Sequence, residues 1–175
     1  MFNQNTLAMK KSLLAICFIF CLHALYAQSL PDFKLIKLET KEDYNESANT
    51  AALIAADFLL NTAVNKKDIN RLLCTQYIIR WMTGTPDYNF ELGGKLTKMA
   101  KNNDDVFIIA MAGMTKYALE NKQVNGKDSK TLMLNGMKHF AEYAANEKSG
   151  LKLNGEIKKM LEAYKAGRLE EYLKD

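Results

Sequence analysis

A chain of 175 residues with 24 basic and 20 acidic side chains, a formal charge of +4 and 48% hydrophobic content has the make-up of one globular domain with enough apolar mass for a core. The small positive excess is scattered, with no basic run long enough to track a phosphate backbone, so nucleic acid is not an expected partner. Of three cysteines and two histidines, only Cys74 and His139 lie beyond the first 27 residues, and one of each cannot make a structural zinc set in any usual spacing.

The start of the chain reads as a secretory signal peptide: Met9-Lys10-Lys11, the apolar run Leu13 to Leu22, then "HALYAQS". That run is shorter than the roughly 20 apolar residues a membrane-spanning helix needs, and no second long one comes after it, so the mature form is expected to have no membrane span. Ala27 is the expected residue before the cut, leaving residues 1–27 as leader and Gln28 as the mature start. Since "MKKSLLAICFIF" already has a complete basic start, Met9 is the expected initiator and residues 1–8 are superfluous. Lipid attachment at Cys21 is disfavoured by bulky Phe20 before it. Cleavage removes Lys10, Lys11, Cys17, Cys21 and His23, which lowers the charge to about +2. Cys74 is then the sole cysteine, so no intrachain disulfide can form, and the product is expected in the periplasm or outside the cell.

Residues 28–42, "QSLPDFKLIKLETKE", form a lead-in that docks through Phe33, Leu35 and Ile36 with the alternation of a short strand. From Asp43 to Asp175 helical spacing dominates. The first helix carries Tyr44, Ala48, Ala51, Ala52, Ala55, Phe58 and Leu59 on one stripe. The second starts at an Asn65 or Asp68 cap and shows Ile69, Leu72, Leu73, Ile79 and Met82. A third spans about Phe90 to Lys101, with Leu92, Leu96, Met99 and Ala100 on one face despite Gly93-Gly94. For the fourth, "NNDD" supplies caps and first-turn negative charge, and Val106 to Ala112 is apolar on every side, which puts it at the centre. The fifth carries Met133, Gly136, Met137, Phe140, Ala141 and Ala144. Gly113 and Gly136 each weaken a helix unless the missing side chain lets another helix approach closely, and close packing is the expected compensation. Ile157, Met160, Leu161 and Tyr164 mark a sixth helix, and Gly167 sets off a terminal turn, "RLEEYLKD". The fold class is all-α, a compact domain of about six helices packed as antiparallel hairpins. A tetratricopeptide-like stack is the alternative suggested by "AYKAGRLEEYL", but its period of about 34 residues is not repeated.

Catalytic chemistry finds little to work with. The mature chain keeps one histidine and one cysteine on separate helices, and Cys74 in "RLLCTQY" reads as a small core residue. His139 and Glu142 lie one turn apart, but a dinuclear carboxylate site needs two such pairs and further inward glutamates. "LGGK" lacks the rest of a phosphate loop, and no G-x-G-x-x-G occurs. Ser149-Gly150-Leu151-Lys152 lacks the companion motifs of penicillin-binding enzymes, and Asn102 to Asp105 lacks the ligand order of a calcium loop. No cofactor is implied.

The stretch "RWMTGTPDYNF" ends the second helix: Gly84 is expected in the left-handed conformation, Thr85 extended before Pro86, and Asp87 starting the next turn or capping the next element. Arg80, Trp81, Asp87 and Tyr88 also have the residue types of a binding hot spot and are the candidate binding surface, set against a packed corner.

"WMTGTPDYNF", "NNDD" before an apolar helix, "MTKYALENK" and "AGRLEEYL" together resemble a group of small exported all-helical bacterial proteins with no assigned activity, over most of Asp43 to Asp175. The resemblance implies an envelope location in a Gram-negative cell and brings no catalytic residues. The expected function is non-catalytic binding of a protein or envelope partner. The alternatives are a carboxylate-based enzyme using Asp87 or Glu142, and a small apolar-ligand carrier if Met99, Met111, Met114, Met133 and Met137 enclose a cavity.

Overall fold

A computed structural model describes residues 30–174; the leader, the Met9 start and the cut after Ala27 lie outside the described residues. A 3-10 turn at Lys41–Asp43 precedes α1 (Glu46–Asn61), α2 (Ile69–Gly84), α3 (Lys95–Met99), α4 (Asp104–Glu120) and α5 (Ser129–Ala145). A second 3-10 turn, Glu147–Ser149, leads to α6 (Gly155–Lys165) and α7 (Leu169–Lys174). Among the described residues there is no strand, and the fold is all-helical as expected.

Helix α4 is the hub, packed against α5, α1 and α2, because a helix apolar on all sides can hide only in the middle. Val106, Ile109 to Thr115, Ala118 and Leu119 are all buried. Helix α1 meets both α2 and α4 through Ala48, Ala51, Ala52, Ala55 and Ala56, whose small side chains admit close neighbours. It is antiparallel to α2: Tyr77 and Trp81 near the end of α2 reach Ala48 and Asn49 near the start of α1. The short α3 between the α1/α2 and α4/α5 hairpins breaks the even alternation of a tetratricopeptide stack.

The two helical glycines face each other where α4 and α5 cross. A Cβ on Gly113 would collide with the Gly136 carbonyl oxygen, and one on Gly136 would stand 2.7 Å from the Met114 amide nitrogen. Close approach is therefore the compensation for their poor helix propensity.

The helix starts are capped by side chains at Asn45, Asp68, Asp128 and Asn154. Asn103, before α4, departs from expectation: its carboxamide makes no cap and donates instead to the Lys152 carbonyl at 3.2 Å, although Asp104 and Asp105 do occupy the first turn. The third helix is shorter than its pattern, only Lys95–Met99, with Leu92 exposed. Gly94 at φ +60 turns the chain sharply there, so Phe90 to Gly93 cannot continue the helix backwards.

Helix α2 presents the other side from the expected one. Its buried residues are Arg71, Cys74, Tyr77, Ile78 and Trp81, while Ile69, Leu72 and Ile79 are exposed and Leu73 and Met82 half-buried. The sequence offers two apolar stripes, and the one with the two large aromatics removes more surface from water. In the lead-in, Phe33 docks on Tyr77 with ring centroids 4.7 Å apart and Ile36 is half-buried, but Leu35 points outward. The segment is a turn, closed by Leu35 N–H donating to the Asp32 carbonyl at 3.0 Å, and no strand pairs with it among the described residues.

Candidate functional site

The four corner residues do not form one surface. Trp81 is fully buried, its indole N–H donating to Asn49 Oδ1 at 2.9 Å. Its ring packs 5.6 Å from Tyr88 and 5.9 Å from Phe90, centroid to centroid, so the aromatics fold onto each other. Tyr88 is half-buried, donates to the Ala118 carbonyl at 3.4 Å, and has its phenol pushed above the ordinary value chiefly by that burial. Arg80 and Asp87 stand in solvent.

The backbone of the corner is fastened to the α4–α5 loop. Asn89 N–H donates to the Gly126 carbonyl at 2.7 Å, Lys127 Nζ donates to the Pro86 carbonyl, and a Cβ on Gly126 would strike the Asp87 carbonyl. Thr85 is extended at ψ 126, as a residue before proline must be. Gly84, however, is not left-handed: it ends α2, and the hydroxyl of Tyr44 fills the space where its Cβ would go. Asp87 caps nothing, since the next helix starts from Gly94 with no side-chain cap.

The groups considered for chemistry are dispersed. Cys74 is fully buried, and burial pushes its thiol up to about 12. His139 Nδ1 lies 3.6 Å from Glu142 Oε2, and Glu142 also accepts from the Tyr164 hydroxyl at 3.2 Å while remaining exposed. Among the described residues no three His, Cys, Asp or Glu side chains are grouped to hold a metal ion. Ser149 is buried in its turn, its hydroxyl accepting from Leu151 N–H at 3.3 Å. Met99, Met111, Met114 and Met137 are core residues, and Met133 lines a cleft.

Two further features belong to α2. Arg71 is buried in α2, where its Nη1 donates to the carbonyls of Leu59 and Thr62 and to the Thr62 hydroxyl at 3.1, 2.9 and 2.7 Å. It closes the end of α1, where orphan carbonyls and the helix dipole favour a cation. The second is the outward face of α2. Ile69, Leu72 and Ile79 are 61%, 49% and 44% exposed. With Gln76 and Thr83 they recur at steps of three and four, a line of about 21 Å at 1.5 Å per residue. Among the exposed side chains of α2 only Arg80 is charged, whereas α6 turns Lys158, Lys159, Glu162 and Lys165 to solvent. The signal for this face lay in the sequence, as the stripe of α2 that the core did not take.

No family model, curated protein or solved structure matches the chain.

Proposed function

We propose that the protein is exported by its N-terminal leader and acts by binding, seating the amphipathic helix of another envelope protein on the outward face of α2. The observation that supports this is the row Ile69, Leu72 and Ile79, apolar, exposed and almost free of charge. Covering such side chains is favourable by about 25 cal/mol for each Å2 of apolar surface removed from water. Positions 69, 72, 76, 79 and 83 match the spacing at which one helix accepts the knobs of another. Depletion of charge is also what distinguishes the middle of a protein interface from ordinary surface. Gln76 breaks the row and would fix the register of the partner, and Arg80 at its edge favours an acidic residue opposite.

A single helix face supplies fewer residues than the roughly 20–30 a side of a standard stable interface, so the docking is reversible. The leader and the resemblance to small exported helical proteins support the envelope as the place where it happens.

A photo-crosslinking side chain placed at Leu72 or Ile79 in living cells tests the proposal. One partner band, absent when the probe sits at Lys158 on α6 and lost on Ile69→Glu, is expected. Crosslinks only between copies of this chain, or none from a folded and exported protein, would overturn it.

A further inference from the structure

Asn125, Asn135 and Asn154 each precede a glycine. In such a pair the glycine's peptide nitrogen can attack the asparagine Cγ and close a five-membered ring, because glycine has no side chain to crowd the approach. The fold treats the three pairs differently. Asn135 and Gly136 lie inside α5, where the Gly136 nitrogen belongs to the helical ladder and the Asn135 carboxamide donates to the Thr131 carbonyl at 2.9 Å. Asn154 is pinned at both ends of its carboxamide: Oδ1 accepts from the Ile157 N–H at 3.0 Å and Nδ2 donates to the Met99 carbonyl at 2.7 Å.

Asn125 is exposed in the α4–α5 loop and is arranged for the reaction. Its Oδ1 accepts from the Lys127 N–H at 3.0 Å, which folds the carboxamide back over the peptide joining it to Gly126. The same N–H is placed to stabilise the negative charge that gathers on Oδ1 when Cγ is attacked. Among the described residues the Gly126 N–H has no acceptor, so the attacking nitrogen is not engaged elsewhere. Asn65 and Asn146 make the same turn, with the Lys67 and Lys148 N–H groups each at 3.0 Å, but Lys66 and Glu147 follow them and crowd the nitrogen. Position 126 is held to glycine by packing, since a Cβ there would strike the Asp87 carbonyl.

We infer that Asn125 is a self-modifying site whose co-reactant is water. The Gly126 nitrogen loses its proton to hydroxide and bonds to Cγ; the Cγ–Nδ2 bond breaks, and ammonia leaves with a proton from water. A water molecule then opens the cyclic imide at either carbonyl, giving aspartate, or isoaspartate with the main chain routed through Cγ. The net change is one water consumed and one ammonia released, with no oxidation or reduction. Isoaspartate lengthens the main chain by one atom beside the Gly126 carbonyl, which accepts from the Asn89 N–H at 2.7 Å, and beside Lys127, which donates to the Pro86 carbonyl. Those bonds fasten the stretch whose Tyr88 packs 5.6 Å from the Trp81 ring, so the modification loosens the cover of Trp81. The site is separate from the α2 face and needs neither export nor a partner.

Peptide mass mapping of the purified full chain, aged at mildly alkaline pH in heavy-oxygen water, tests it. The Asn125 peptide is expected to become the acid, with one heavy oxygen, about tenfold or more faster than the peptides of Asn65, Asn135, Asn146 and Asn154. In urea the three Asn-Gly pairs should react at similar rates, because the helix and the carboxamide anchors are gone. After conversion, fluorescence from Trp81, the single tryptophan, should be quenched more readily by acrylamide. Asn125→Ser, which keeps a side-chain oxygen for the Lys127 N–H, should show neither change. An Asn125 that reacts in urea but stays an amide in the folded protein, equal conversion at any of the other four asparagines, or unchanged Trp81 quenching after full conversion would each overturn the inference.

Discussion

Gly136→Ala puts one methyl at the point where α4 and α5 touch. The added Cβ would lie 2.7 Å from the Met114 amide nitrogen and 2.8 Å from its Cα, and it would also strike the Met114 side chain. Carbon contacts are comfortable at about 3.5–4.0 Å, so the helices must part by roughly 1 Å. Two of the obstacles are backbone atoms in the middle of a 17-residue helix and cannot swing away. A gap of that size forfeits about a quarter to a half of the dispersion energy along the seam, and overpacking of this kind costs about 1–3 kcal/mol. Against it stands about 1 kcal/mol gained from alanine's better helix propensity. Because backbone atoms are the obstacle, the cost falls in the upper part of that range, about 2–3 kcal/mol, and the net expectation is a loss of about 1–2 kcal/mol, read as a drop of roughly 2–8 °C in the melting temperature of a domain this size. Gly155→Ala is the control, because α6 leaves open space there, and it should cost nothing. Urea and thermal unfolding of both variants decide the matter. A Gly136→Ala protein as stable as the parent, or more so, would mean that α4 and α5 do not meet at this crossing.

Arg71→Met keeps most of the buried volume but removes the donor serving Leu59 and Thr62, so the unfolding free energy should fall by about 1–3 kcal/mol. Arg71→Lys should restore only part, since an ammonium lacks the guanidinium's planar fork; a neutral Arg71→Met would remove the residue from its place at the end of α1. Burial raises the Cys74 thiol from 9.0 to about 12 and the Tyr77 phenol from 10.0 to about 12. Above pH 9 the unfolded chain therefore holds fewer protons than the folded one, and stability must fall as pH rises from 9 towards 12. Urea midpoints should decline across that window, less steeply in Cys74→Ala, and the thiol of the folded protein should resist disulfide reagents at about pH 8. Unfolding midpoints that stay level from about pH 8 to 11 would contradict the buried thiol.

How much of the fold is readable from sequence depends on how many ways each helix can be turned. Val106 to Ala112 leaves α4 no face to show to water, so its central place is set by composition alone. Gly113 and Gly136 are equally informative, because a glycine inside a helix is a cost that only a close neighbour offsets. Helix α2 is different: periodicity says that apolar residues share a side, and here two sides qualify. What settles the choice is α1, whose alanines leave room for Tyr77 and Trp81 and whose Ala48 carbonyl and Asn49 carboxamide accept their polar ends. None of that is local to α2. The rarity of tryptophan draws a sequence-based binding surface to Trp81, yet an indole with a partner for its N–H is better used inside. Arg71 is hidden for a related reason, since arginine is normally a surface residue and its acceptors come from the end of another helix. A helix that carries two apolar stripes and buries only one leaves the other unexplained by folding. On α2 that remainder is Ile69, Leu72 and Ile79, and selection for stability alone gives no reason to keep three such side chains in water.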